Sequence, residues 1–272
     1  MKRVAAFCLV ACASLAMSQE HPPGSDADLA TKLSNPVAAM VSVPLQFNYD
    51  QNYAGGDGHK TYVNVQPVIP FRINDDWNLI TRNILPVADQ SDVFPGSGSQ
   101  SGLGDLTSSF FFSPVKPTDG GWIWAIGPVF YLPTATDDLL GAKKWGVGPT
   151  ALMLKQEHGW TYGFLWNYVA SVATVRGNNN DRPDLSNGFI QPFLSYSTPS
   201  AWTYGVNIEA SHSWDGNQWS VPLNLSVGHV VHFGSTPVQV TLGTGYFLDH
   251  TDTGPRGWRF RFVTTFLIPE GH

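Results

Sequence analysis

The stretch Trp202-Thr203-Tyr204-Gly205-Val206-Asn207-Ile208-Glu209-Ala210-Ser211-His212-Ser213-Trp214 alternates two kinds of side chain. Trp202, Tyr204, Val206, Ile208 and Ala210 are apolar, whereas Thr203, Gly205, Asn207, Glu209 and Ser211 are small or polar. A period of two is the mark of a strand with two unlike faces. The same pattern runs through Trp219 to Phe233, Val238 to Leu248 and Trp258 to Ile268, where Phe260, Phe262 and Phe266 oppose Arg259, Arg261 and Thr265. Reading back toward the amino terminus adds segments at 37–49, 61–73, 77–88, 104–114, 122–133, 144–156, 160–172 and 185–197. The expectation is an all-β fold, an antiparallel up-and-down barrel of about twelve strands, each about as long as a tilted bilayer-spanning strand.

Alternation alone leaves open which face meets water. Charged residues are 13% of the chain, low for a soluble protein, and the polar face is mainly Ser, Thr, Asn, Gln and Gly. Short turns at Asn74–Asp76, Glu157–Gly159, Thr198–Ala201 and Gly234–Pro237 interleave with longer stretches near 50–60, 89–103, 134–143 and 173–184. Tryptophan marks the strand ends: Trp77, Trp122, Trp160 and Trp202 at one interface, Trp145, Trp219 and Trp258 at the other. These features predict a transmembrane barrel with its apolar face in lipid and its polar face in the lumen. A net charge of −6 without a basic stripe argues against nucleic acid as a partner.

The amino terminus fits export. Met1-Lys2-Arg3 precedes an apolar run to Met17, and cleavage fits after Ala16 or Ser18; Leu9-Val10-Ala11-Cys12 offers a rival lipoprotein reading. The expected organisation is a signal peptide at 1–18, a mobile polar periplasmic segment at 19–36 and the barrel at 37–269. Cys8 and Cys12 both lie in the signal, so no disulfide is expected in the mature chain. The location expected is the outer membrane of a Gram-negative bacterium, with lipid and small solutes as partners and a monomeric state.

By parity the lumen should be lined by Asn64, Gln66, Arg82, Asp105, Asn167, Asn187, Gln191, Asn207, Glu209, Asn224, Gln239, Arg259 and Arg261. A charge facing lipid at the midplane costs about 2–4 kcal/mol, so the charged members should point inward. One arrangement sets Arg82, Arg259 and Arg261 against Glu209 and Asp105 across a constriction, which would govern ion preference. The other is a salt-bridged filling. Prolines inside the expected strands (Pro44, Pro67, Pro70, Pro128, Pro149, Pro192 and Pro222) each remove a ladder donor and predict bulges.

Several segments together resemble a known family: Asn35-Pro36-Val37, Gln66-Pro67-Val68-Ile69-Pro70-Phe71, Trp77-Asn78-Leu79-Ile80-Thr81-Arg82, Gly102-Leu103-Gly104-Asp105, Phe111-Phe112-Ser113-Pro114, Leu132-Pro133-Thr134-Ala135-Thr136-Asp137, Lys144-Trp145-Gly146-Val147-Gly148-Pro149-Thr150-Ala151 and Gln191-Pro192-Phe193. They resemble the family labelled MetA-pathway of phenol degradation, an outer-membrane "transporter" family some of whose members carry the label neuromedin U. Ser34 stands where glutamine is common, and Tyr168-Val169-Ala170-Ser171 replaces a more usual Trp-Ser. The resemblance implies an outer-membrane barrel linked to aromatic compounds and supplies no catalytic residues.

The function expected is a porin-like channel or transporter for small solutes, with aromatic or hydrophobic compounds as candidate cargo, working by passive or facilitated diffusion. No enzyme activity, cofactor or metal is expected. Two alternatives stand beside it. One is a structural or adhesive barrel that binds a partner through its loops. The other is a barrel-embedded hydrolase, for which His212, His229 and His232 with Ser211, Ser213 and Ser226 would be the candidates. Asn178-Asn179-Asn180-Asp181 and Asp137-Asp138 offer oxygen ligands for calcium but lack the spacing of a calcium loop.

Overall fold

The computed structural model describes residues 24–175 and 182–268. The expected signal peptide and the Asn178–Asp181 run lie outside the described residues. The elements are α1 (Asp26–Leu33), β1 (Val41–Tyr53), β2 (Gly58–Val65), β3 (Val68–Arg72), β4 (Trp77–Ser91), β5 (Ser99–Leu103), β6 (Leu106–Pro114), β7 (Trp122–Leu132), β8 (Lys144–Glu157), β9 (Trp160–Thr174), β10 (Ser186–Ser197), β11 (Trp202–Ile208), β12 (Ala210–Ser213), β13 (Gln218–Phe233), β14 (Thr236–Asp249) and β15 (Gly257–Ile268). β2 with β3, β5 with β6, and β11 with β12 are halves of interrupted staves. The fifteen segments therefore make twelve staves in one closed antiparallel barrel. Closure joins β1 to β15, with Asn48 facing Arg261 and Asp50 facing Arg259 across the seam.

Proline explains the three interruptions. In an antiparallel pair two facing residues exchange two hydrogen bonds, and proline can only accept. The Gln66 N–H donates to the Pro44 carbonyl, Asn83 to Pro67, Gly104 to Pro86 and Glu209 to Pro222, at 2.8–3.1 Å, and no return bond can form. The β2/β3, β5/β6 and β11/β12 breaks fall at these positions. Of the expected bulges, Pro222 carries a register shift with Val221, whereas Pro70 and Pro192 sit in unbroken register opposite Ile80 and Phe164.

Pro128 and Pro149 face each other across β7 and β8. The ladder on either side of them is interrupted, between the Ser109–Val129 and Phe112–Ile126 pairs and between the Val147–Ala170 and Thr150–Asn167 pairs. Glycine is required beside each proline. A Cβ at Gly127 would lie 1.8 Å from the Phe110 carbonyl oxygen, and one at Gly148 would lie 1.7 Å from that of Tyr168.

Two stretches expected as long loops are largely strand. β1 runs to Tyr53 and β2 begins at Gly58, while β4 runs to Ser91 and β5 begins at Ser99. Polar residues there, such as Asp50 and Gln90, are buried on the inward face, so polarity does not mark a loop. The contrast in loop length survives between residues 133–143 and the turn at His158-Gly159. That turn has both residues at positive φ, the geometry that matches strand twist in a two-residue hairpin.

The outward face carries a belt of exposed apolar side chains, among them Phe260, Leu242, Leu225, Tyr204, Phe164 and Ile126. The inward face differs from the all-polar lining expected. On one side of the lumen Val37, Val68, Ile80, Phe111, Ala125, Leu152, Leu154 and Leu165 form a buried apolar core. Each large side chain of that kind gains roughly 1.5–3 kcal/mol on burial.

Residues 19–36 were expected to be mobile, yet α1 is a docked helix. Ser25 caps it by accepting from the Asp28 N–H at 3.2 Å. Ala30 is fully buried against Ala201 and Val230, and Gln156 Nε2 donates to the Thr31 carbonyl at 2.7 Å. The helix thus packs on the barrel end that holds the turn at Thr198–Ala201.

Candidate functional site: an ion-paired lumen

The inward face of β1 places Gln46, Asn48 and Asp50 in line, and the inward face of β15 places Arg259 and Arg261 beside them. Arg259 grips Asp50 with two bonds, Nε to Oδ1 at 2.6 Å and NH2 to Oδ2 at 2.7 Å. Arg261 grips Glu209 in the same way, NH1 to Oε1 at 2.8 Å and NH2 to Oε2 at 3.0 Å. A planar fork on a planar carboxylate is the strong form of this contact. Arg259 NH1 also reaches Glu209 Oε2 at 3.2 Å, so Glu209 bridges both guanidinium groups. Arg261 Nε donates to Asn48 Oδ1 at 2.8 Å, and the Tyr62 hydroxyl donates to Asp50 Oδ2 at 3.2 Å. The Phe247 ring lies 4.8 Å from the Arg259 guanidinium carbon and covers it.

Burial makes this network costly to break. Asn48 is fully buried, Asp50 is 2% exposed and Arg259 is 7% exposed. In such surroundings a lone charge is far less stable than a paired one. The two arginines and two carboxylates balance.

Beside the network lies an internal cavity of about 710 Å³. Asn64, Gln66, Arg82, Asn167, Asn187, Gln191, Asn207, Glu209, Asn224, Arg259 and Arg261 all line it, so these residues from separate strands are brought together. Asn224 Nδ2 donates to Asn207 Oδ1 at 2.9 Å, and Gln239 Nε2 donates to the Thr203 hydroxyl at 3.4 Å, outside this cavity. Arg82 NH2 donates to Gln66 Oε1 at 3.1 Å. A second cavity of about 180 Å³ lies between Arg82, Gln66 and the segment that follows α1.

Asp105 corrects the expected arrangement. It does not oppose the arginines. Its carboxylate is buried at the β5/β6 break and accepts from the backbone N–H groups of Ala135 at 3.0 Å and Ala142 at 2.6 Å. It anchors the 133–143 loop. The register of β4 against β5 differs by one residue from that against β6, and Asp105 follows β6, on the same inward face as Thr107 and Ser109 but at the end of the stave.

Asp50, Asn48 and Tyr62 escaped the parity reading, although Gln46, Asn48 and Asp50 alternate with Leu45, Phe47 and Tyr49 in the same period of two. The charge on Asp50 suggested a strand end. A polar residue in step with the inward face was the signal available.

Trp145, Trp160, Trp202, Trp219 and Trp258 are exposed at strand ends, and Trp77 and Trp122 are half-buried there. His212 lies between Trp214 and Trp219, with ring centroids at 4.6 and 4.5 Å, and His229 stacks on Trp202 at 4.4 Å. His232 faces Asp26 of α1 at 3.5 Å. Of the hydrolase candidates, Ser211, His212, Ser213 and Ser226 line the 710 Å³ cavity, whereas His229 and His232 lie outside it. Asp138 pairs with Lys143, and the Asp137 carboxylate accepts from the Leu139 N–H at 2.8 Å.

A scan against protein-family models finds no match, and a search of curated proteins by sequence finds none. Solved structures do resemble the fold. The COG4313 outer membrane channel from Pseudomonas putida F1 superposes with a TM-score of 0.66 at 13% identity, over 92% of this chain and all of that one. The NanC porin gives a TM-score of 0.53 at 9% identity, over 84% of this chain and all of that one. At these identities the likeness is one of architecture: the chain has the fold of outer-membrane channels.

Proposed function

We propose that the chain is an outer-membrane channel through which low-molecular-weight solutes pass by passive or facilitated diffusion. The observation that carries this is the pairing of an apolar outer belt with a polar internal cavity of about 710 Å³ in a closed barrel. An apolar exterior suits lipid, and a closed sheet leaves no edge unsatisfied there. The likeness to outer-membrane channels supports the reading. The belt lies on staves all round the barrel, so a monomer surrounded by lipid is the state that fits.

Aromatic or hydrophobic cargo is the finer reading, in line with the resemblance to the phenol-degradation family. An apolar depression on the outer wall supports it, lined by Trp77, Phe112, Ile126, Gly127, Pro149 and Trp166 beside the interrupted ladders. A seam weak in hydrogen bonds next to an apolar depression suits lateral passage between lumen and bilayer.

Purified protein in a planar bilayer should give discrete conductance steps. Silence there with ester hydrolysis in detergent would favour the hydrolase, and silence in both would favour an adhesive or structural barrel.

A further inference from the structure

Among the arginines that line the main cavity, Arg82 is the one left over when the network has been paired. Arg259 and Arg261 are matched by Asp50 and Glu209. Among the described residues no ion pair includes Arg82, whose hydrogen-bond partner is the neutral Gln66 amide at 3.1 Å. Arg82 and Gln66 line both the 710 Å³ cavity and the 180 Å³ cavity below it. They form the partition between the main chamber and the space against the amino-terminal segment.

We propose that Arg82 is a binding site for the carboxylate of a small organic anion, and that this class of solute is what the channel selects. The inference rests on the channel reading and adds the solute class to it. A guanidinium presents five donors in a flat fork that fits a carboxylate, and one bond to Gln66 leaves most of them available. The amide groups of Asn64, Asn167 and Gln191 line the same chamber and can donate to carboxylate oxygens. Ile84 lies two residues from Arg82 on the same inward face of β4, and Phe189 adds an aromatic ring to the chamber wall. A planar acid group on a compact apolar body therefore has a partner for each end. A solute held at the partition touches both chambers, which is where binding can govern passage.

The test uses benzoate as the probe and benzyl alcohol as its uncharged counterpart, titrated calorimetrically into the full-length protein in detergent micelles. Benzoate should bind wild type about tenfold or more tightly than Arg82→Gln, since a charge-assisted fork is lost. Arg82→Lys, which keeps the charge and loses the fork, should fall between them. Benzyl alcohol should not distinguish the three proteins. Mobility of unheated samples on gels checks that each barrel is folded; if Arg82→Gln fails to fold, the lysine variant decides by its weaker binding. Absence of benzoate binding to wild type, or equal binding to wild type and the folded variants, overturns the proposal. Bilayer recordings separate the two readings. Arg82-dependent binding with no conductance retains the site and removes the channel. Conductance with no preference for benzoate over potassium, unchanged by Arg82→Gln, retains the channel and removes the site.

Discussion

Glu209 and Pro222 face each other across β11/β12 and β13, and they exchange one hydrogen bond where a regular ladder has two: the Glu209 N–H reaches the Pro222 carbonyl at 3.1 Å and nothing returns. The residue at this half-made pair is the one whose carboxylate holds both Arg259 and Arg261. A local fault in the wall and the centre of the charge network coincide.

Pro222→Val should supply the missing donor to the Glu209 carbonyl. A net gain near one hydrogen bond, about 1 kcal/mol, is expected as a higher urea midpoint. Slower hydrogen exchange in β13 around residue 222 would locate the change. Conductance should persist, because the Glu209 side chain keeps its partners.

Glu209→Gln removes the single carboxylate shared by two guanidinium groups. Loss of one partner of a buried pair costs about 3 kcal/mol or more. The variant should unfold at lower urea, and its reversal potential in a salt gradient should move toward anions relative to wild type. An unchanged reversal potential would show that the network does not set ion preference.

Asp105→Asn should act on a loop and spare the lumen. The asparagine carbonyl can still accept one backbone N–H, but the charge that favours both bonds is gone. Trypsin should then cut after Lys143 in the folded barrel faster than in wild type, with conductance retained. Equal cutting rates would mean that the loop is held by its other contacts.

Acid should loosen the same end of the barrel. The hydrogen bond from Lys144 Nζ, with help from the Ser171 hydroxyl, holds the Asp184 carboxyl below its ordinary range. A hydrogen bond from Lys143 does the same for Asp138. A lowered folded value means the stabilisation is present above the ordinary carboxylate pKa and disappears as pH falls through the lowered one. Hydrogen exchange in residues 133–143 and 182–185 should therefore rise as pH is taken down through the carboxylate range, after correction for intrinsic rates. A flat profile would show that these loops are anchored without the two ion pairs.

Ala30→Trp places a large ring where a fully buried methyl group packs on Ala201 and Val230. Overpacking of this kind costs about 1–3 kcal/mol locally and should detach α1 while the twelve staves stay closed. A larger or noisier single-channel conductance, with an unchanged barrel melting temperature, is the outcome expected.

The staves were legible because period-two alternation survives even where a proline interrupts the ladder; β10, β13 and β15 begin and end close to where the pattern does. The paired half of the lumen was less legible. Arg259, Arg261 and Glu209 could be assigned inward by parity, but Asp50 lay in a stretch whose polarity imitates a loop. Asp105 keeps the inward parity of Thr107 and Ser109, but parity does not say how far along the barrel a residue lies, and the 133–143 loop claims its carboxylate. The apolar core around Phe111 could not be inferred from alternation: Phe110, Phe111 and Phe112 follow one another, and a strand apolar on both faces carries no period. α1 is short and polar, and what fixes it is a cap and a methyl-sized contact with distant residues.

The seam between β1 and β15 has a consequence for how the protein is made. Asp50 and Asn48 belong to the first stave, Arg259 and Arg261 to the last, and the sheet is circular only when those staves meet. Until then one carboxylate, Glu209, has two guanidinium groups to answer for. The final act of assembly thus brings its own electrostatic reward, and a barrel closed one residue out of step would forfeit it. The same side chains that give the lumen its character also act as a proofreading clasp between the chain's two ends.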